Sequence, residues 1–260
     1  MAEYKRIIVK IGSSSLTHKN GKLNLSRIDK LAMVLSDLAN QGKEVVLVSS
    51  GAICTGMSRL GLEKKPEDIA VKQAMAAVGQ GMLLHIYEKF FAEYGRIVAQ
   101  ILITKEDIKC EERNTNAKNT FNSLLGYGVI PIVNENDTIA THEIKIGDND
   151  MLSAYVAKLT YADLLIILSD VDGLYDRDPK EDGAQIIHEV NCIDCEIEEH
   201  AKGAGTRFGT GGMKTKINAA KLAMDSNIVT VIANGNDPSI IYDIISGKRK
   251  GTIFTKKEEK

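Results

Sequence analysis

Residues 164–168 read Leu-Leu-Ile-Ile-Leu, five apolar side chains in a row, followed at once by Ser169 and Asp170. A run this short has the length of a strand, and its unbroken apolar character leaves neither face for water. Outward from it the same texture recurs. Arg6–Ile11, Glu44–Ser49, Ile97–Ile103, Val129–Asn134 and Ile228–Ala233 are also rich in Val, Ile and Leu and read as strands. Amphipathic segments lie between them, near Ser26–Asn40, Asp68–Phe91, Glu111–Leu125, Asn149–Thr160 and Met213–Asn227. Strands buried on both faces that alternate with helices specify an α/β fold, an αβα sandwich around a largely parallel central sheet. Gly42 and Gly61 stand where helices should end. Thr138–Ile146 reads as a β-ribbon folding back over the sheet edge.

At 260 residues the chain is long enough to bury a substantial core, and no repeat, low-complexity block or proline-rich linker divides it. Its hydrophobic content of 43% and charged content of 26% are those of an ordinary globule. A formal net charge of −2 gives no electrostatic reason to expect nucleic acid. The start, MAEYKRIIVKIG, lacks the features of a signal peptide, and no stretch approaches the ~18 apolar residues of a membrane span. A cytoplasmic protein without a membrane partner is expected. Cys192 and Cys195 form one C-x-x-C, but Cys54 and Cys110 stand alone and the histidines show no ligand spacing. Reduced, non-catalytic thiols are expected rather than a zinc site.

In open α/β sheets, ligands sit at the carboxyl ends of strands. Polar clusters stand at those ends: Lys10-Ile11-Gly12-Ser13, Ser49-Ser50-Gly51-Ala52, Asn134-Glu135-Asn136-Asp137 and Ser169-Asp170. Gly147-Asp148-Asn149-Asp150 opens a helix. A further segment, GTGGMKTK at 209–216, runs straight into a helical pattern. Glycines at a helix mouth let backbone N–H groups approach an anion, and Lys214 and Lys216 add charge suited to phosphate. The segment is neither a Walker A loop, which needs Gly-Lys-Ser/Thr, nor G-x-G-x-x-G, because the second gap ends in Lys214. By itself it is equally compatible with a flexible turn before a helix.

These clusters, in this order, resemble the amino-acid kinase family and, within it, the members that phosphorylate the γ-carboxylate of L-glutamate with ATP. The matching stretches are VKIGSSSL from Val9, VSSGAICTGMSRLG from Val48 and KQAMAAVGQ from Lys72. They continue as PIVNENDTIA from Pro131, EIKIGDNDMLSA from Glu143, LSDVDGLYDRDP from Leu168 and GTGGMKTK. The resemblance covers essentially the whole chain. It implies the amino-acid kinase fold in a single domain over 1–260, its N-terminal part mainly acceptor-binding and its C-terminal part mainly nucleotide-binding. It also implies the first step of proline biosynthesis. Many relatives append a PUA domain, and this chain, which stops at Lys260, is expected to lack one.

What the resemblance implies for residues follows position by position. Lys10 and Lys216 contact the ATP phosphates and the transition state, and Asp150 organises both lysines. Ser50, Asp137 and Asn149 bind glutamate. Gly12, Ser169 and Asp170 join Lys10 at the nucleotide, as do Thr210, Gly211, Gly212, Met213, Lys214, Thr215 and Lys216. The chemistry is coherent. A carboxylate acceptor is already an anionic nucleophile and needs no general base, so the difficulty is bringing two anions into line. Asp137 suits the ammonium group of glutamate, while Ser50 and Asn149 suit its anionic groups. Magnesium would bridge ATP phosphates and keep its waters, so no metal ligand is assigned. Homo-oligomers and inhibition by proline are further implications.

Plainer roles exist for each residue. Lys10 could snorkel at a strand end, Ser50 could cap a helix and Asp137 could form an Asx-turn. Asn149 could simply start a helix, and Asp150 could be a solvated carboxylate at its positive end. Two functional rivals also remain at this point. One is a family member acting on acetylglutamate or uridylate, against which Asp137 argues, since an acetylated amine would leave its charge unpaired. The other is a sensor that binds amino acid and nucleotide without turnover, for which the set Lys10, Asp150 and Lys216 would be superfluous.

Overall fold

The run at 164–168 lies near the centre of an eight-stranded sheet. The structure, a computed structural model, describes residues 4–18, 20–62, 64, 66–140, 148–179, 181–200 and 212–256. In chain order the elements begin β1 (Arg6–Ile11), α1 (Ser13–Leu16), α2 (Leu25–Asn40), β2 (Glu44–Ser49), α3 (Ala52–Arg59) and α4 (Ile69–Glu93). They continue with β3 (Val98–Ile103), α5 (Lys105–Lys109), α6 (Glu111–Gly126), β4 (Ile130–Glu135), α7 (Asn149–Thr160) and β5 (Leu164–Ser169). Then come β6 (Leu174–Tyr175), β7 (Ile186–Ile187), β8 (Glu189–Val190) and α8 (Cys195–His200). The last are α9 (Met213–Asp225), β9 (Val229–Asn234), α10 (Ile240–Ile245) and β10 (Thr252–Phe254).

The sheet order is β3-β4-β2-β1-β5-β9-β10-β8. From β3 to β9 every pairing is parallel, and β10 then runs antiparallel to β9. Side chains divide by the period of two that strands impose. Leu164, Ile166 and Leu168 join Ile7, Val9 and Leu47 in one core, packed by Leu31 and Leu35 of α2 and Leu83 and Phe91 of α4. Leu165 and Ile167 join Ile8, Val46 and Val133 in the other, against Phe121 of α6, Leu152 of α7 and Ile217 of α9. The strand is therefore covered on both faces, as an unbroken apolar run demands. Lys10, two residues beyond Ile8, shares the face covered by α6, α7 and α9.

The strand and helix expectations hold to within two residues at each end. Gly42 and Gly61 both adopt positive φ, 83° and 72°, just past α2 and α3. The sequence had not signalled the antiparallel β10, the short helices α5 and α10, or the small β6–β7 pair. Most of the expected ribbon at 138–146 falls outside the described residues. No helix among the described residues is long and apolar enough to cross a membrane.

Strand β1 lies between β2 and β5, so the chain leaves it towards one side of the sheet and later returns on the other. That is the topological switch point, where the loops after neighbouring strands diverge and leave a crevice.

Candidate active site

Three charged side chains meet beside that crevice. Asp150, in the first turn of α7, is wholly buried, and Lys10 and Lys216 are each only 6% exposed. Lys10 Nζ pairs with Asp150 Oδ1, and Lys216 Nζ donates to Asp150 Oδ2 at 3.0 Å. Thr215 Oγ1 also donates to Oδ2, at 3.3 Å. Burial pushes the Asp150 carboxyl up, but the ammonium groups of Lys10 and Lys216, both also hydrogen-bonded to it, outweigh that. They hold it below the usual carboxylate range. Asp150 is thus no solvated helix-end carboxylate, and Lys10 does not snorkel.

Local sequence explains the placement. Asp148 caps α7, its Oδ1 accepting from the backbone N–H groups of Asp150 and Met151 at 3.1 Å each. This fixes the turn from which Asp150 projects inwards. The second oxygen of Asp148, Oδ2, is buried without a hydrogen-bond partner among the described residues. Lys216 comes from the first turn of α9, whose N-cap, Gly212, carries no side-chain cap. The Thr215 N–H donates to the Gly212 carbonyl oxygen at 3.2 Å, whereas the N–H groups of Met213 and Lys214, at the mouth of the helix, have no acceptor within it and suit an anion, with the helix dipole behind them. Gly12 follows β1, where an added Cβ would stand 3.6 Å from Lys10 Nζ and 3.9 Å from the Leu168 carbonyl oxygen.

A second cluster adjoins the first through Asn149, the neighbour of Asp150. Asn149 Nδ2 lies 2.8 Å from the Ser49 carbonyl oxygen, 2.9 Å from Ser50 Oγ and 2.8 Å from Asn134 Oδ1. The carboxyl ends of β2 and β4 are thereby tied to the start of α7. Ser50 caps no helix, since the N-cap of α3 is Gly51, and Asn149 does more than begin α7. Asp137 sits in the turn that follows β4.

The nucleotide-side residues are placed less uniformly. Ser169, at the end of β5, is buried and its Oγ donates to the exposed Asp170 at 3.2 Å. Met213 is buried, whereas Lys214 points to solvent on α9. Thr210 and Gly211 lie outside the described residues. Two contributors had gone unassigned: Asn134 and Thr215 as a direct partner of Asp150. Asn134 had a legible signal, being a polar residue at a strand end. Cys54, Cys110, Cys192 and Cys195 are free thiols, and no three His, Cys, Asp or Glu side chains among the described residues are grouped to hold a metal.

Comparison with known proteins follows the same lines. The sequence pattern of the amino acid kinase family matches residues 5–234. The chain belongs to the amino acid kinase family. Its relatives within that family include the glutamate 5-kinase of Clostridium perfringens (strain 13 / Type A), 54% identical over 263 residues, covering 99% of this chain and 98% of that protein. Among solved structures, carbamate kinase from Giardia lamblia bound to AMP-PNP superposes with a TM-score of 0.68 at 18% identity, over 98% of this chain and all of that one. UMP kinase from Bacillus anthracis does so with a TM-score of 0.66 at 17% identity, over 99% of this chain and 98% of that one. The αβα sandwich of this kinase is therefore the fold of its family.

Proposed function

We propose that this kinase transfers the γ-phosphoryl group of ATP to the γ-carboxylate of L-glutamate, giving L-glutamyl 5-phosphate and ADP, the first step of proline biosynthesis. The observation that carries this reading is the buried Lys10–Asp150–Lys216 group, joined through consecutive residues to the Ser50–Asn149–Asn134 cluster. One is suited to phosphate and the other to an amino acid. A carboxylate oxygen of glutamate attacks the γ-phosphorus as the bond to the β–γ bridging oxygen breaks, and the electrons of that bond leave with ADP. At neutral pH the acceptor has no proton to lose, so no base is required. Asp150, held ionised between two ammonium groups, is an orienting group rather than a proton carrier. Lys10 and Lys216 stabilise the charge that spreads over the transferring group and the bridging oxygen, in a site of low dielectric.

Ser50, Asn149 and Asp137 are assigned to glutamate, Asp137 to its ammonium group. Gly12, Ser169, Asp170 and the segment from Thr210 to Lys216 are assigned to ATP. Magnesium would arrive on the nucleotide, bound by phosphate oxygens and water, and no step here is routed through it. Kinship to the family extends the reading to a cytoplasmic homo-oligomer inhibited by proline.

The test is release of ADP by the purified chain with glutamate, N-acetylglutamate, aspartate or uridylate as acceptor. Glutamate should be preferred by a wide margin. Better turnover of N-acetylglutamate would show that Asp137 does not face a free amine, and the assignment would fall.

A further inference from the structure

Helix α4 does not contribute any of the residues assigned to glutamate or ATP, yet it touches the segments around the acceptor cluster at four points. Tyr87, buried in its middle, shares a 2.8 Å hydrogen bond with Ser49 Oγ at the end of β2. Gln80 Nε2 donates to the Glu135 carbonyl oxygen at the end of β4, at 3.2 Å. Gln73 Nε2 donates to the Ala140 carbonyl oxygen beyond it, also at 3.2 Å. The fourth contact has no side chain in it. At Gly79, a Cβ would lie 1.7 Å from the Ala52 carbonyl oxygen and 2.8 Å from the Gly56 nitrogen. At Gly56, a Cβ would lie 2.0 Å from the Met75 carbonyl oxygen. Helices α3 and α4 therefore cross backbone to backbone, with Ala52 and Gly56 of one against Met75 and Gly79 of the other, each pair one helical turn apart.

The place of this crossing matters. Ala52 is the first residue of α3, directly after Ser50 and Gly51, and it is the first turn of α3 that Gly79 meets. Ser50 Oγ, two residues earlier, is bonded to Asn149, which adjoins Asp150. A shift of α3 away from α4 is thus passed to the acceptor cluster within two residues, while Lys216 and Gly212 on α9 lie on the opposite face of the sheet from α4. Glycine in a helix interior costs stability relative to alanine, so two glycines at the crossing call for a reason, and close approach supplies it.

We propose that α4 is the positioning element of the acceptor pocket and that Gly79 is a positioning residue, whose missing side chain seats α3 where the acceptor carboxylate lines up with the phosphoryl group. This rests on the glutamate kinase reading above. Gly81, two residues on, provides the internal control, because a Cβ there meets nothing within 4 Å.

The experiment compares wild type, Gly79→Ala, Tyr87→Phe and Gly81→Ala by steady-state kinetics with each substrate varied, together with thermal melts. Gly79→Ala forces the two backbones apart by more than an ångström, a misplacement worth roughly 10²-fold in kcat/KM for glutamate. Its KM for glutamate should rise while its KM for ATP stays within about twofold. Tyr87→Phe keeps the core volume and removes one tie, so its KM for glutamate should rise about fivefold, the scale of one ordinary hydrogen bond. Gly81→Ala should match wild type in its kinetics with both substrates. If Gly79→Ala gives no cooperative melt, Tyr87→Phe decides: unchanged glutamate kinetics in that variant overturn the proposal. So does an equal loss for both substrates in a folded Gly79→Ala. A wild-type chain that releases no ADP with glutamate instead overturns the reading beneath it, and is recognised by failing before any variant is compared.

Discussion

On the mechanism proposed above, Asp150 organises two lysines without itself taking part in bond making. Two ammonium groups share it in a buried site, so its negative charge fixes where both positive charges stand. Lys216→Ala should lower kcat by roughly 10²-fold or more, the scale of losing one preorganised charge stabiliser. Asp150→Asn should also depress kcat, and adding it to Lys216→Ala should cost much less than in wild type, because residues acting as a unit are non-additive. Full additivity in that cycle would show that Asp150 does not work through this lysine. The same carboxyl leaves a signature in stability against pH. Its pKa is depressed in the folded chain, and the unfolded value is about 3.9. Its contribution is therefore complete above about pH 4 and is lost as the pH falls through the folded pKa. Urea unfolding from pH 7 to pH 3 should show a constant gap between wild type and Asp150→Asn that narrows only below about pH 4. A gap that widens on acidification would mean that burial, rather than the lysines, governs this group. At this scale the sequence was informative where residue type and position agreed, as at Lys10 and Lys216. It was silent on Thr215, since a threonine in a first helical turn has many uses and only the arrival of α7 makes it a partner of Asp150.

Elements were legible to the degree that their own residues decide them. Runs rich in Val, Ile and Leu announced the six parallel strands, most plainly β5, whose burial on both faces leaves no alternative, and Asp68 marked the start of α4 by capping it, accepting from Val71 N at 3.0 Å. Strand β10 was not legible. Three residues, Thr252 to Phe254, hold their conformation through β9 and β8 rather than through any pattern of their own. The α3–α4 crossing was hidden for a related reason. Gly56 and Gly79 are 23 positions apart in the numbering, and neither betrays that it faces the backbone of the other's helix. A glycine's purpose shows only in what its absent Cβ would touch. Gly81 gives the contrast, being exposed with open space around it in the interior of a 25-residue helix. Gly81→Ala should accordingly stabilise the chain by about 0.5–1 kcal/mol. Denaturant titration should show a higher midpoint with the slope unchanged. Destabilisation would mean that α4 is packed at that point by something the described residues do not include.

Across the whole molecule the charged group ties together pieces far apart in the chain: β1 near its start, α7 in the middle and α9 in the last quarter. The sheet order forecasts this meeting, since β1 separates β2 and β4, at whose ends Ser50 and Asn134 stand, from β5, which ends at Ser169, and β9, which α9 precedes. A stability prediction follows that no single element would suggest. Asp150→Asn leaves two ammonium groups buried without the carboxylate between them, and removing one partner of a buried ion pair costs about 3–5 kcal/mol. The ligand-free variant should therefore melt well below wild type. The polyphosphate of ATP can serve as the missing countercharge, and in the variant it no longer competes with Asp150 for the lysines. Wild type should gain about 2.7 kcal/mol at an ATP concentration a hundred times its Kd. At that same concentration the gain in Asp150→Asn should be larger, though its turnover with glutamate is lower. Thermal shift without glutamate measures both gains before any phosphoryl transfer occurs. A smaller gain in the variant would show that Asp150 presents the lysines to the nucleotide and does not restrain them, and its place would then be in binding rather than in alignment.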